Sequence, residues 1–286
     1  GASIDRPANP SLRWETTDMV NLGLDMSFFK NRLAMTVDVY RKKTTDLLIE
    51  KNAALATGYE KGWANIGAVR NQGIEITLDA TPILTKKWNW TLNANIGFNR
   101  SKVLDIGPGD EMGFDPGVIP GSGNFVMIRK NKSLGQWYGY KIDGFDAEGN
   151  FIFADMDKNG VVNANDKVIL GSPIPDFTYG LNINMEYKDF DLTVFFQGVQ
   201  GNDIFNQKKY TYYFDYSNNV VKEAMNGWTK TNRNTGIPIM KTQNTSGGNS
   251  LPSEFYIEDG SYLRLKNLQL GYSLPKKWLE AIRFNK

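Results

Sequence analysis

Trp88-Asn89-Trp90-Thr91-Leu92-Asn93-Ala94-Asn95-Ile96-Gly97-Phe98-Asn99 alternates with a period of two. One parity reads Trp, Trp, Leu, Ala, Ile, Phe and the other Asn, Thr, Asn, Asn, Gly, Asn. Successive side chains of a β-strand point to opposite faces, so this run makes one greasy face and one amide-rich face. Tyr179, Leu181, Ile183, Met185 and Tyr187 repeat the pattern against Gly180, Asn182, Asn184, Glu186 and Lys188, and Phe190, Leu192, Val194 and Phe196 carry the apolar parity of the return strand. The wall of a membrane β-barrel needs such strands, with the apolar parity on lipid and the polar parity lining a wet lumen. A soluble β-sandwich, such as a carbohydrate-binding module, would use the same alternation with the apolar parity against a partner sheet.

Composition narrows the chemistry. The 286 residues are 41% hydrophobic, enough for a globular core, so composition alone does not find a membrane. No apolar run approaches the ~18 residues of a spanning helix, which leaves strands as the way across. The net charge of +2 offers no field for a polyanion, so nucleic acid is not an expected partner. With neither cysteine nor histidine, disulfides, thiolate and imidazole metal sites, and Ser-His-Asp or Cys-His catalysis are excluded. A glycoside hydrolase using two carboxylates needs no histidine, but no Asp or Glu pair stands out; the chain reads as a non-enzyme. Gly1-Ala2-Ser3-Ile4 has no signal-peptide pattern, so the sequence reads as a mature chain or an interior piece.

Alternation places strands near 20–29, 32–47, 67–81, 88–102, 176–187, 190–200 and 261–274, all antiparallel neighbours. In the last, Leu263 and Leu265 are followed by Leu268 and Leu270, a parity change that predicts a bulge near Lys266-Asn267. Connections alternate in length. Lys30-Asn31, Thr85-Lys86-Lys87 and Lys188-Asp189 are tight turns, whereas about 48–66, 103–175 and 201–260 are long, as the external loops of an outer-membrane barrel are. This assignment requires the strand-like stretch 134–146, with Trp137-Tyr138-Gly139-Tyr140, to belong to an external loop. Phe28, Phe29, Trp88, Trp90, Tyr187, Phe190 and Trp278 gather near the short turns, as an interfacial belt or as sandwich-core aromatics would. Seven strands cannot close a barrel of even strand number, so further strands are expected.

Two constellations stand outside the wall. Asp155, Asp157, Asn159, the Val161 carbonyl and Asp166 fall at calcium-loop spacing, with Gly160 at the sharp turn. The loop reads either as a structural Ca2+ site, ordering a long segment otherwise without regular structure, or as a polar turn without an ion. Tyr210, Tyr212, Tyr213, Phe214 and Trp228 lie in the last long loop and suit either contact with a substrate or partner, or packing within the loop itself.

An ordered series of segments resembles the SusC/RagA-like TonB-dependent outer-membrane transporters. It comprises Asn9-Pro10-Ser11-Leu12-Arg13-Trp14-Glu15-Thr16-Thr17, Asp38 to Leu48 (DVYRKKTTDLL), Asn65-Ile66-Gly67 with Asn71-Gln72-Gly73-Ile74-Glu75, Trp137-Tyr138-Gly139-Tyr140, Gly171-Ser172-Pro173-Ile174-Pro175-Asp176-Phe177, and Gly260 to Asn267 (GSYLRLKN). The resemblance implies a late portion of a barrel of about 22 strands, spanning 1–286, in the outer membrane of a Gram-negative bacterium. It further implies a plug domain lying outside this chain through which TonB acts, a SusD-like surface lipoprotein as partner, and import of glycan or peptide oligomers.

Overall fold

The computed structural model describes residues 8–52, 58–59, 61–115, 123–214, 219–240, 248–275 and 278. Seven long strands build one antiparallel sheet in chain order: β1 (Thr16–Phe28), β2 (Leu33–Thr45), β3 (Ala68–Leu84), β4 (Trp88–Asp105), β5 (Phe177–Tyr187), β6 (Phe190–Gln200) and β7 (Tyr262–Tyr272). Among the described residues each pairs only with its sequence neighbours within this sheet, leaving β1 and β7 as edges.

Register turns the alternation into continuous bands. Opposed residues share a face, so the pairings place Phe28, Leu33, Ala80, Leu92, Ile183, Val194 and Leu268 in one row across all seven strands. Two residues further along, Met26, Met35, Leu78, Ala94, Leu181, Phe196 and Leu265 form the next apolar row. On the other face Asp25, Thr36, Thr77, Asn95, Gly180, Gln197 and Arg264 form a polar row, and its neighbour carries Asp79, Asn93, Asn182 and Asn267, interrupted by Phe195. Hydrogen bonds cross between strands on this face: Thr36 Oγ1 donates to Asp25 at 2.7 Å, Thr193 Oγ1 to Asn184 at 3.0 Å, and Asn93 Nδ2 to Asp79. Among the described residues no second sheet covers the apolar face, as a sandwich would require; Leu268 and Leu270 are 63% and 73% exposed.

The strands differ from the sequence reading mainly at their ends. β1 begins at Thr16, and β3 and β4 run on to Leu84 and Asp105, because backbone pairing continues after the polarity pattern has changed. β3 passes its Pro82 through a bulge between Ala80 and Ile83, where a residue without an N–H breaks the regular ladder. The bulge in β7 falls at Lys266, between Asn267, opposite Phe195, and Leu265, opposite Phe196. Phe29, placed in the first strand by its apolar character, lies instead in the turn: Phe29, Lys30 and Asn31 have φ of 53°, 57° and 66°. The left-handed region ends the strand there despite the ring.

The short turns interlock along one end of the sheet. Thr81 N–H donates to Arg32 O, Lys188 N–H to Lys87 O, and Ser273 N–H to Asp189 O, at 2.7–2.9 Å. There Trp88, Tyr187, Phe190 and Tyr272 are directly opposed on β4 to β7, with ring centroids 4.4 Å apart for Trp88–Tyr187 and 4.6 Å for Phe190–Tyr272. Sequence reading identified three of these four rings and missed Tyr272.

All three long connections leave the opposite end. The first carries a hairpin of Leu48–Asn52 and Lys61–Asn65. Asn65 clamps its base, donating to Arg13 O and Asp46 O at 2.8 Å and accepting from Arg13 N–H at 2.7 Å. The second connection is not irregular, as the sequence suggested. It holds a four-stranded sheet in the order Val168–Gly171, Gln136–Gly139, Val126–Arg129, Glu111–Phe114, and a hairpin of Ile142–Phe145 with Phe151–Phe153. The stretch 134–146 therefore pairs outside the wall. The third contributes Asp203–Phe205, the helix α1 (Gln207–Tyr213) and Ile257–Asp259.

Candidate functional site

The second and third connections fold into one unit whose core is aromatic. Phe151, Phe214 and Tyr256 are buried together, with Phe145, Phe153, Phe205, Tyr210, Tyr213 and Phe255 packed around them. The chain of rings continues through Phe205 to Phe125 (4.3 Å) and Trp137, whose indole N–H donates to Asp203 O at 3.0 Å. Ring pairs of this kind add to burial through their quadrupoles and supply the compact hydrophobic area that the short loop strands cannot. Backbone ties reinforce it: Ile142 N–H donates to Glu254 Oε1 at 2.8 Å and Phe151 N–H to Asn249 Oδ1 at 2.7 Å. Burial drives the Tyr256 phenol pKa upward, and its O–H donates to Ser250 O at 3.1 Å.

Helix α1 is fastened by polar groups. Asn206 caps it, accepting from Lys208 N–H at 3.1 Å. Lys209 Nζ ion-pairs with Glu258 at 2.9 Å, donates to Phe255 O at 2.6 Å and lies 4.8 Å from the Phe255 ring centre. Burial works to raise the Glu258 pKa, but hydrogen bonds from Lys209 and Asn206 outweigh it and hold the carboxyl below its ordinary value. This clasp and the rings Phe125, Phe205, Phe255 and Tyr256 escaped the sequence reading, which marked Trp137 only as part of a strand-like stretch; the dense Glu254-Phe255-Tyr256-Ile257-Glu258 run was the available signal.

Of the five loop aromatics singled out from sequence, Phe214 and Trp228 are buried, Tyr210 and Tyr213 half-buried, and Tyr212 is exposed. Trp228 packs on the turn of the Ile142–Phe153 hairpin, where Gly149, at φ 83°, leaves no room for a side chain beneath the indole. Beside it a cleft of about 630 Å³ opens between Glu148, Met225, Trp228, Lys230 and Met240.

The acidic loop is built around Asp166, which is fully buried. Asp166 Oδ1 accepts from Met156 N–H and Oδ2 from Asn163 N–H, both at 2.7 Å, and Asn163 caps the short 3₁₀ turn Ala164–Asp166. The Asn163 bond first, with those from Asp157 and Met156, holds the Asp166 pKa below the usual carboxylate range against the opposing effect of burial. Asp155 accepts from Asn159 N–H at 3.2 Å and Gly160 N–H at 2.7 Å, Gly160 turning the chain at φ 86°. The loop brings one carboxylate oxygen each of Asp155, Asp157 and Asp166 within 4.8 Å of one another. Among the described residues no basic side chain pairs with them. Three uncompensated carboxylates at this range repel, and hard oxygen donors so placed suit a divalent cation such as calcium. Asn159 Oδ1 accepts from Val161 N–H at 2.8 Å and Val161 O from Asn163 Nδ2 at 2.9 Å, so these two ligand candidates are engaged within the loop itself.

Comparisons with known proteins agree with this architecture. The family profile described as TonB dependent receptor-like, beta-barrel, matches residues 1–285. Curated relatives include TonB-dependent receptor P3 of Formosa agariphila, 33% identical over 95% of this chain, and TonB-dependent receptor SusC of Bacteroides thetaiotaomicron, 30% identical over 96%. The chain spans 28% of the length of each. Among solved structures, the RagAB peptide transporter superposes with a TM-score of 0.78 at 25% identity, over 97% of this chain and 31% of that one. With its open antiparallel wall, its apolar rows and its long connections at one end, the chain belongs to the TonB-dependent receptor β-barrel family of the Gram-negative outer membrane.

Proposed function

We propose that this chain forms part of the wall and external loops of an outer-membrane importer of glycan or peptide oligomers, working with a SusD-like surface lipoprotein and energised through TonB. The observation that carries this is the pairing of a sheet apolar across seven strands on one face and amide-lined on the other with a folded, aromatic-rich unit at its long-loop end. The apolar face meets lipid and the amide face lines the wet lumen. A solved neighbour named as a peptide transporter supports oligomeric cargo, and its name pairs two components, consistent with a lipoprotein partner. Substrate or partner contact within the loop unit falls to Tyr212 and the cleft beside Trp228, with Tyr210, Tyr213 and Phe214 holding that surface in shape. The carboxylates of Asp155, Asp157 and Asp166, completed by Asn159 and the Val161 carbonyl, hold a structural Ca2+ that stiffens the loop.

The test is uptake by cells carrying the full-length transporter as their sole route for a panel of labelled oligosaccharides and oligopeptides. Loss of accumulation on deleting the transporter gene, on removing TonB, or on removing the neighbouring lipoprotein is expected. Accumulation that survives all three deletions refutes the reading.

A further inference from the structure

The apolar face of the wall changes character toward the long loops. From the aromatic row at Trp88 to the row Leu22, Val39, Ile74, Phe98, strand β4 advances by ten residues. At ~3.3 Å per residue and a tilt near 40°, that is about 25 Å of membrane depth, the height of a barrel's apolar band. The next row on the same face is Val20, Arg41, Gln72, Arg100, and the one beyond is Asp18, Lys43, Arg70, Lys102. Five cations therefore stand on three adjacent strands just past the edge of the hydrocarbon. Neighbouring strands are ~4.8 Å apart and rows ~6.6 Å, so the patch measures about 10 by 7 Å.

Among the described residues little neutralises this patch. Asp18 is the single carboxylate on the two rows, and Arg100 is held by Asp176 at 2.8 Å and by the carbonyls of Pro175 and Asp176. Among the described residues, Arg41, Lys43, Arg70 and Lys102 have no ion-pair partner, and Arg70 Nε is buried without an acceptor. Directly below, a cleft of about 600 Å³ opens on the face, floored by Leu22, Val39, Ile74 and Phe98 and rimmed by Arg41 and Arg100. An apolar groove under a cationic rim at the outer edge of the band is complementary to one kind of molecule, an acyl chain carrying a phosphorylated headgroup.

The geometry points to a lipid-binding site of the outer leaflet: an acyl chain lies in the Leu22–Val39–Ile74–Phe98 cleft and its headgroup phosphates meet Arg41, Lys43, Arg70 and Lys102. Arginine is suited to this because its planar fork binds phosphate in bidentate fashion, and lysine adds charge on a flexible stem. The site rests on the barrel reading, since it needs the apolar face on lipid and the long loops outside.

The full-length transporter is extracted in mild detergent, and co-purifying phosphorylated lipid is counted by native mass spectrometry. Combining Arg41→Gln, Arg70→Gln and Lys102→Gln is expected to lower retained lipid roughly tenfold, from the loss of several charge-assisted hydrogen bonds. Lys30→Gln, Lys86→Gln and Lys188→Gln, at the short-turn end, leave retention unchanged. Equal retention in the first variant, or equal loss in both, overturns the site. So does delipidated protein that binds inorganic phosphate as tightly as the lipid, because the cations would then hold a free anion. If the neutralised variant does not give a heat-modifiable barrel band, Ile74→Trp fills the cleft while keeping every charge; it is expected to shed lipid, and full retention overturns the proposal. Uptake is measured in parallel: wild type that keeps lipid but imports nothing counts against transport alone, whereas import with no lipid loss in the variants counts against this site alone.

Discussion

Leu92 and Asn93 are neighbours in the chain, yet the register sends one into an apolar row seven strands wide and the other into a polar row beside Asp79 and Asn182. The same substitution should therefore cost differently at the two positions. Arginine at Leu92 or Ile183 in the full-length barrel is expected to cost about 2–4 kcal/mol near mid-bilayer, and arginine at Asn93 or Asn182 much less. Folding titrations into bilayers, comparing paired variants, check this; equal costs on both faces would mean the apolar parity does not face lipid. In the acidic loop, Asp155→Ala or Asp157→Ala removes one of three converging carboxylates while leaving Asp166 to hold Met156 and Asn163. Calcium should protect the wild-type loop from protease in a chelator-reversible way, and either variant should abolish that protection without shifting the melting of the wall. A wild-type loop cut equally with and without chelator would leave only the polar turn.

Helix α1 is too short to be stable on its own, so its position depends on the cap at Asn206 and the clasp of Lys209 on Glu258 and Phe255. Lys209→Met keeps the stem but removes the donors to Glu258 and Phe255 O. Faster hydrogen exchange across 207–213, with wall strands unchanged, is the expected result. The clasp also sets a pH dependence. Glu258 has a lowered folded pKa, so its contribution is fully present above the unfolded glutamate value of ~4.3 and is lost as pH falls through the lower folded value. Protection of the α1 amides, with the intrinsic pH dependence of exchange divided out, should thus stay flat from neutral pH down to about 4.3 and fall below it, and Glu258→Gln should flatten that fall. The side chain of Glu258 is 42% exposed, so solvent screening keeps the effect local to the helix.

At the scale of the whole molecule the wall is an open sheet. Among the described residues β1 and β7 each present an unpaired edge, and the apolar rows lie uncovered. Backbone groups unpaired at a lipid-exposed edge cost several kcal/mol each, so these edges need further strands to span a membrane. Residues 1–286 expressed alone should accordingly fail to give a monodisperse, cooperatively melting monomer in detergent-free buffer, as sedimentation and calorimetry would report. A well-behaved soluble monomer would instead revive the sandwich architecture. The loop unit is better insulated: its aromatic core and backbone ties lie above the sheet, so its order does not depend on closure of the wall in the way the sheet edges do.

The seven wall strands, the turn-and-loop asymmetry and the Lys266 bulge were legible in the amino-acid order, because a strand's faces repeat every two residues and a slipped parity can arise only from an inserted residue. The convergence of Asp155, Asp157 and Asp166 was legible for a related reason: the spacing is local, and Gly160 supplies the turn that closes it. What tertiary structure alone decided are the contacts between distant segments. Phe125 against Phe205, Glu258 against Lys209, and Asn65 across Arg13 and Asp46 join residues whose local patterns say nothing of each other. The cationic rows belong to this class too. Arg41, Arg70 and Lys102 are unremarkable on their own strands, and they become one surface only because antiparallel register sets the ends of β2, β3 and β4 side by side.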